Sequence, residues 1–379
     1  MSYLTTLKTA FLLFPFVAFI VTIPFILIEY HKYGSISKIR VLIIYSFILY
    51  LMAIYFLVIL PLPSRDDVIK LTSPKTQLIP FSFVIDFIKE TPLIITNPRT
   101  YIKALCHSSF YTAFYNILMT IPFGMYLRYY FKANLRRTIK YSFFLSLFFE
   151  LTQLTGLYFI YPRPYRLFDV DDLLLNTLGG IIGYYWMAHF NKFLPTRDEI
   201  DKKTYENAKT VSGLRRITLF CIDITLFIIM SLFIFVISSG NKFSKYISFL
   251  VYFVIIPYFW NGKTIGSNFV NVRFEFANKK FLNLFIKAIS QTTYYICIPF
   301  CLVYFVFHYL IHYPIDLNLK IILLFCIILL ICFYYLINII CLIKNKKMFY
   351  DKFSHVKFIN TLKQESDEYE RNHNNYNYN

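Results

Sequence analysis

Residues 320–343 read KIILLFCIILLICFYYLINIICLI, and no charged residue follows Lys320 in this stretch. A helix needs about 20 predominantly apolar residues to cross the hydrocarbon core of a bilayer. This run is long enough, and runs like it recur along the chain. Nine are found, at 9–29, 41–62, 106–127, 139–160, 173–191, 217–238, 246–260, 286–311 and 320–343. The composition agrees with them. Hydrophobic residues make up 57% and charged residues 16%, where a soluble domain carries about 45–50% and roughly 25%. A disordered chain, a disulfide-stapled secreted domain and an ordinary cytosolic enzyme are excluded. The expected fold is an all-α, polytopic integral membrane helix bundle of nine spans. The 246–260 run is short and ends near Pro257. If it were re-entrant, everything after it would change sides.

The formal net charge is +18. The basic residues sit mostly between apolar runs, where they set orientation and meet anionic lipid head groups. No nucleic-acid partner is expected, because these loops contain no recognisable reader fold. With the N-terminus outside and the spans alternating, the segments 30–40, 128–140, 192–216, 261–287 and 344–379 face the cytoplasm. They hold 27 of the 39 Lys and Arg residues. The tally favours a multi-pass cell-membrane protein with its N-terminus outside and its C-terminus in the cytoplasm.

The polar stretch 192–212 reads as a cytoplasmic linker between a five-span domain, 1–191, and a four-span domain, 213–360; 361–379 reads as a disordered tail. The seven cysteines lie in or beside apolar runs without a Cys-x-x-Cys motif, so they read as small hydrophobes. His308 and His312 are spaced to share a metal ion, but they lack an evident third ligand beyond Asp316 and read as interfacial anchors. No metal and no cofactor is expected.

Two groups of polar residues break the apolar pattern. In the first half, Glu150 and Gln153 are three apart and share a face within an apolar run. A carboxylate there needs a partner or a water-filled cavity. Asp169, Asp172 and Asn176 follow at helical spacing and form a stripe at a helix N-terminus, where the dipole favours negative charge. Arg166 is the natural counter-charge. Asn116 and the break Pro122-Phe123-Gly124 lie on the preceding run, and Gly179 and Gly183 form a small-xxx-small pair. The bland alternative is that the aspartates cap a helix and pair with Arg166; Asp171, which lies off the stripe, fits that alternative best.

These residues resemble the VanZ-like family over roughly 10–190: Asn116, Pro122-Phe-Gly124, Glu150-x-x-Gln153, then Arg166-x-x-Asp169-x-x-Asp172-x-x-x-Asn176-x-x-Gly179. That family is named for a membrane protein that lowers sensitivity to the glycopeptide teicoplanin. The resemblance implies a cell-envelope role; antibiotic resistance belongs to the family's namesake and is not implied for this chain.

In the second half, Arg216 is followed by Asp223, two helical turns or roughly 10 Å deeper on the same face. Gly262-Lys-Thr264-Ile-Gly266 makes a glycine-flanked turn, and Asp351 follows the last run. The turn lacks the spacing of a phosphate-binding P-loop. These residues resemble the RDD family over roughly 212–360, with Arg216, Asp223 and Asp351 as its one Arg and two Asp. The resemblance implies transport. Tyr350 stands where that family usually has His, and Lys287 where it often has Arg. The alternative to a functional site is that Arg216 neutralises Asp223 and locks the bundle.

Three function classes follow. The leading one is a non-catalytic envelope factor that binds or shields a cell-wall precursor, a glycopeptide or another lipid-linked polar group at the outer site. A second is an ion- or proton-coupled transporter for monovalent ions or protons, using Asp223 and Glu150. A third is an enzyme acting on a lipid-linked sugar, for which Asp169 and Asp172 alone stand too close to span a scissile bond.

Overall fold

The computed structural model describes residues 3–276, 280–312 and 316–362. The tail expected to be disordered therefore lies, from residue 363 on, outside the described residues. Contacts divide the chain into two compact units, one of residues 1–21 and 38–200, the other of 22–37 and 201–379. Helix Tyr3–Tyr33 contributes to both. Within the stretch read as a linker, Arg197–Asn207 is helical.

About 75% of the structure is helical. Five helical segments are long and apolar enough to cross a membrane: Thr5–Tyr33, Lys38–Ile59, Gly213–Ile237, Lys280–Leu310 and Asn318–Ile343. They correspond to five of the nine expected runs. Three others form the helices Ser108–Tyr129, Leu135–Leu154 and Val170–Phe190. Their inner faces are polar: Thr120, Thr138, Ser142, Ser146, Glu150, Gln153 and Asn176 are all buried. The ninth, Ser244–Phe259, is a shorter helix. A π-turn over Val251–Ile255 interrupts it just before Pro257.

In the first unit, helices 108–129 and 135–154 both pack on helix 170–190. Glycines make the first contact close. A Cβ on Gly183 would fall on the Ile121 carbonyl, one on Gly179 on the Ile117 carbonyl, and one on Gly124 on the Gly180 backbone. Gly179 and Gly183 thus meet the neighbouring helix as their spacing suggests. Polar caps set the helix starts: Asn134 Oδ1 accepts from the Arg137 N–H at 2.9 Å, and Asp169 Oδ1 from the Asp171 N–H at 2.8 Å. The 63–105 region contains short helices, including Arg65–Ile69 and Ser82–Glu90.

In the second unit, Tyr30, Leu219, Val254, Val270, Val272, Phe274, Leu284 and Val356 form one core. The little sheet in this mostly helical structure lies partly here. Val272–Phe276 and Val356–Asn360 pair as antiparallel strands, with Phe274 opposite Phe358. The sequence Val-Arg-Phe-Glu-Phe buries Val272 and Phe274 and exposes Arg273 and Glu275, the two-residue period of a strand with one wet face. A second, minimal pair in the first unit sets Thr76 and Gln77 parallel to Phe168 and Asp169.

Candidate functional site

The first-unit residues singled out by sequence converge on the start of helix 170–190. Glu150, only 2% exposed, accepts the backbone N–H of Asp169 on Oε2 at 2.9 Å. Asn116 donates from Nδ2 to Asp172 Oδ1. Asn176 donates to Ser146 Oγ at 2.9 Å, and that hydroxyl donates to the Asp172 carbonyl at 3.1 Å. Thr120 Oγ1 donates to the Asn176 carbonyl at 2.8 Å. Side chains of three helices are thereby tied into one polar network.

Each of the three carboxylates commits one oxygen to the protein. Glu150 uses Oε2, Asp172 uses Oδ1, and Asp169 uses Oδ1 for the cap and for Gln77 Nε2 at 3.4 Å. The second oxygen of each accepts no hydrogen bond from the described residues. Burial, with Asp171 and Asp86 nearby, pushes the Asp169 carboxyl above its ordinary range. The arrangement is an acceptor set, suited to hydroxyl or amine donors. Among the described residues no group of three His, Cys, Asp or Glu side chains could hold a metal ion.

Arg166 is a nearby positive charge for Glu150 and Asp172, but its hydrogen bonds go elsewhere. Its Nη1 donates to the Val58 carbonyl at 2.6 Å and its Nη2 to the Leu60 carbonyl at 2.9 Å. Gln153 Nε2 donates to the same Val58 carbonyl at 3.2 Å, and the Tyr165 hydroxyl to the Ile59 carbonyl at 3.4 Å. Burial raises the Tyr165 phenol to about 12. The reason is local. Helix 38–59 ends here, and its last carbonyls have no intrahelical donors. A guanidinium with paired N–H groups satisfies two of them at once. Arg166 and Gln153 thus clamp the end of helix 38–59, and Arg166 at the same time lends its charge to the acceptor set.

Asp171 is wholly structural. It accepts the N–H of Phe81 at 2.6 Å, the hydroxyl of Ser82 at 2.7 Å and the N–H of Phe83 at 2.9 Å, fixing the start of helix 82–90. Sequence reading missed Ser146 and Thr120. Their spacing from Glu150 and Asn116, four residues in each case, was the available signal.

In the second unit the singled-out residues form two groups. Asp223, 3% exposed, accepts from the Tyr252 hydroxyl at 2.8 Å, the Thr264 hydroxyl at 2.8 Å and the Gly266 N–H at 3.0 Å. Thr264 also caps the short helix that follows it, through Ser267. Gly262 takes positive φ, and a Cβ there would strike the Phe274 carbonyl. A Cβ on Gly266 would strike the Asp223 carboxylate. These glycines are what let the turn close over Asp223.

Arg216 does not neutralise Asp223. It forms an ion pair with Asp351 from Nη2, and its guanidinium carbon lies 4.2 Å from the Phe358 ring centre. Asp223 already has its donors, and Asp351 opens the short helix Phe349–Phe353. Burial raises the adjacent Tyr350 phenol. The arginine with most of the structural work is its neighbour. Arg215, fully buried, donates to the carbonyls of Val270 at 2.7 Å, Asn271 at 2.8 Å and Ala208 at 3.3 Å, and to Asn360 Oδ1 at 2.9 Å.

Residues 47–191 match the VanZ/LLP1 family model. The match starts at residue 47, within the stretch of roughly 10–190 over which the resemblance is expected. It holds the whole acceptor set, from Asn116 to Asn176. The chain is similar to that family over these residues, and five of its helical segments are long and apolar enough to cross a membrane. Residues 213–360 lie outside the match. No curated protein and no solved structure matches the chain.

Proposed function

We propose that the chain is a non-catalytic factor of the cell envelope. Its VanZ domain receives hydroxyl or amine donors of a cell-wall or lipid-linked polar group. The observation carrying this reading is that Glu150, Asp169 and Asp172 each leave one carboxylate oxygen free of protein donors within a buried, cross-braced network. In this reading the chain crosses the membrane nine times, with its N-terminus outside, so that the acceptor set faces the envelope. The second half, 213–360, is an RDD-like domain, a reading supported by the pairing of Arg216 with Asp351 and of Asp223 with Thr264 and Gly266. The three donors on Asp223 favour a fixed, structural carboxylate there over a coupling site for ions or protons.

The test compares cells carrying the parent chain, Glu150→Gln or Asp172→Asn at equal membrane levels, reading glycopeptide sensitivity and retention of a lipid-linked amino-sugar precursor by the purified protein. Retention should fall and glycopeptide sensitivity should rise in the variants. Unchanged retention and unchanged sensitivity in both variants would overturn the reading.

A further inference from the structure

The second unit encloses a cavity of about 310 Å³ between helices 213–237, 280–310 and 317–343. Two cationic side chains line it, Arg216 and Lys287. Arg216 is matched by Asp351. Lys287 has no such direct partner. It is 8% exposed, its ammonium makes no hydrogen bond or ion pair with any described residue, and it lies 3.5 Å from the centre of the Phe274 ring. Asp223 and Asp351 act on it only as charges at longer range; Asp223 is occupied by Tyr252, Thr264 and Gly266, and Asp351 by Arg216. A buried ammonium without a direct acceptor is costly unless something supplies one.

Other polar atoms at the same place are also left over. Arg216 Nε, Asn338 Oδ1 and, behind Arg216, Asp351 Oδ1 are buried without a partner. The remaining walls are apolar, with Phe220, Ile224 and Ile296 among them. The cavity thus has a cationic, donor-bearing end and a greasy body.

We propose that this cavity binds a phosphate group carried on an apolar body, with the Lys287 ammonium as its counter-ion and Arg216 Nε as a second donor. Phosphate suits the site because it accepts from several donors at once and forms strong charge-assisted hydrogen bonds. A phospholipid head group and a water-soluble phosphate share that chemistry. The proposal does not depend on the function assigned to the VanZ domain.

The test uses the full chain in phosphatidylcholine nanodiscs, titrated with dioleoyl phosphatidate or with inorganic phosphate, reading the unfolding midpoint and the apparent Kd. Saturable stabilisation by phosphatidate identifies a lipid source; stabilisation by inorganic phosphate alone identifies a soluble one. Either outcome supports the site when Lys287→Gln weakens binding about tenfold or more, the loss of one charge-assisted contact, and Lys287→Arg retains it. Ile296→Trp, which fills the cavity and leaves Lys287 in place, should abolish binding and serves if Lys287→Gln does not fold. Absence of saturable stabilisation by either phosphate, or binding undiminished in Lys287→Gln or in Ile296→Trp, would overturn the proposal.

Discussion

The backbone N–H of Asp169 points at Glu150 Oε2, 2.9 Å away, so a buried carboxylate on one helix holds the residue that caps the next. Asp169 in turn accepts the Asp171 N–H. The free ends of these carboxylates are placed by their bound ends. Glu150→Ala removes the anchor and leaves the Asp169 N–H without its acceptor. The expected loss is about 1–3 kcal/mol, the cost of leaving a buried donor without its acceptor. Thermal unfolding in detergent checks this. Glu150→Gln keeps an acceptor and should lose less than half as much.

Arg166 closes the C-terminal end of helix 38–59 through the Val58 and Leu60 carbonyls. Arg166→Ala should therefore destabilise the VanZ domain by about 1.5–3 kcal/mol. Arg166→Lys, with one point charge in place of a fork, should recover only part of that. Limited proteolysis of the 60–75 region checks the prediction. Equal protease resistance in the parent and both variants would contradict the clamp.

The stripe Asp169, Asp172 and Asn176 was legible because helical spacing puts residues three and four apart on one face. The close approach at Gly179 and Gly183 was legible because no other side chain allows it. The partner of Arg166 was not legible. Backbone carbonyls at a helix end carry no sequence signature, whereas Asp169 and Asp172 stood nearby as visible anions. The choice between Arg215 and Arg216 was hidden for a different reason. Helix 213–237 is apolar on nearly every face, so its sequence has no amphipathic phase to tell which of two adjacent arginines turns inward. The strand at 272–276 did carry its alternation, but its partner lies beyond the last long helix.

That hidden choice is testable. Arg215→Lys keeps the charge but cannot reach the carbonyls of Val270 and Asn271 together with Asn360. It should lower stability by about 2–4 kcal/mol, as expected when buried acceptors lose a charged donor. Arg216→Lys retains a cation for Asp351 and has no backbone carbonyls to abandon, so it should cost less than Arg215→Lys. Chemical denaturation of the two variants side by side decides the ranking; equal losses would contradict the division of labour between the neighbours.

The capping carboxylate makes stability depend on pH. The Asp169 pKa is raised on folding, chiefly by burial and further by Asp171 and Asp86, against the lowering effect of the Asp171 N–H. A carboxyl raised in this way favours the folded state most when protonated. Its contribution is complete below the unfolded pKa of about 4 and is lost as pH climbs through the folded value. Asp169→Asn keeps a capping acceptor without the charge. Between about pH 4 and 7 the parent protein should therefore lose unfolding midpoint relative to Asp169→Asn, with the two converging at the acid end of that range. Thermal unfolding of both proteins across the range measures the gap. A gap that widens toward acid pH would mean that the charge at Asp169 stabilises the fold, the reverse of what burial between two other aspartates dictates.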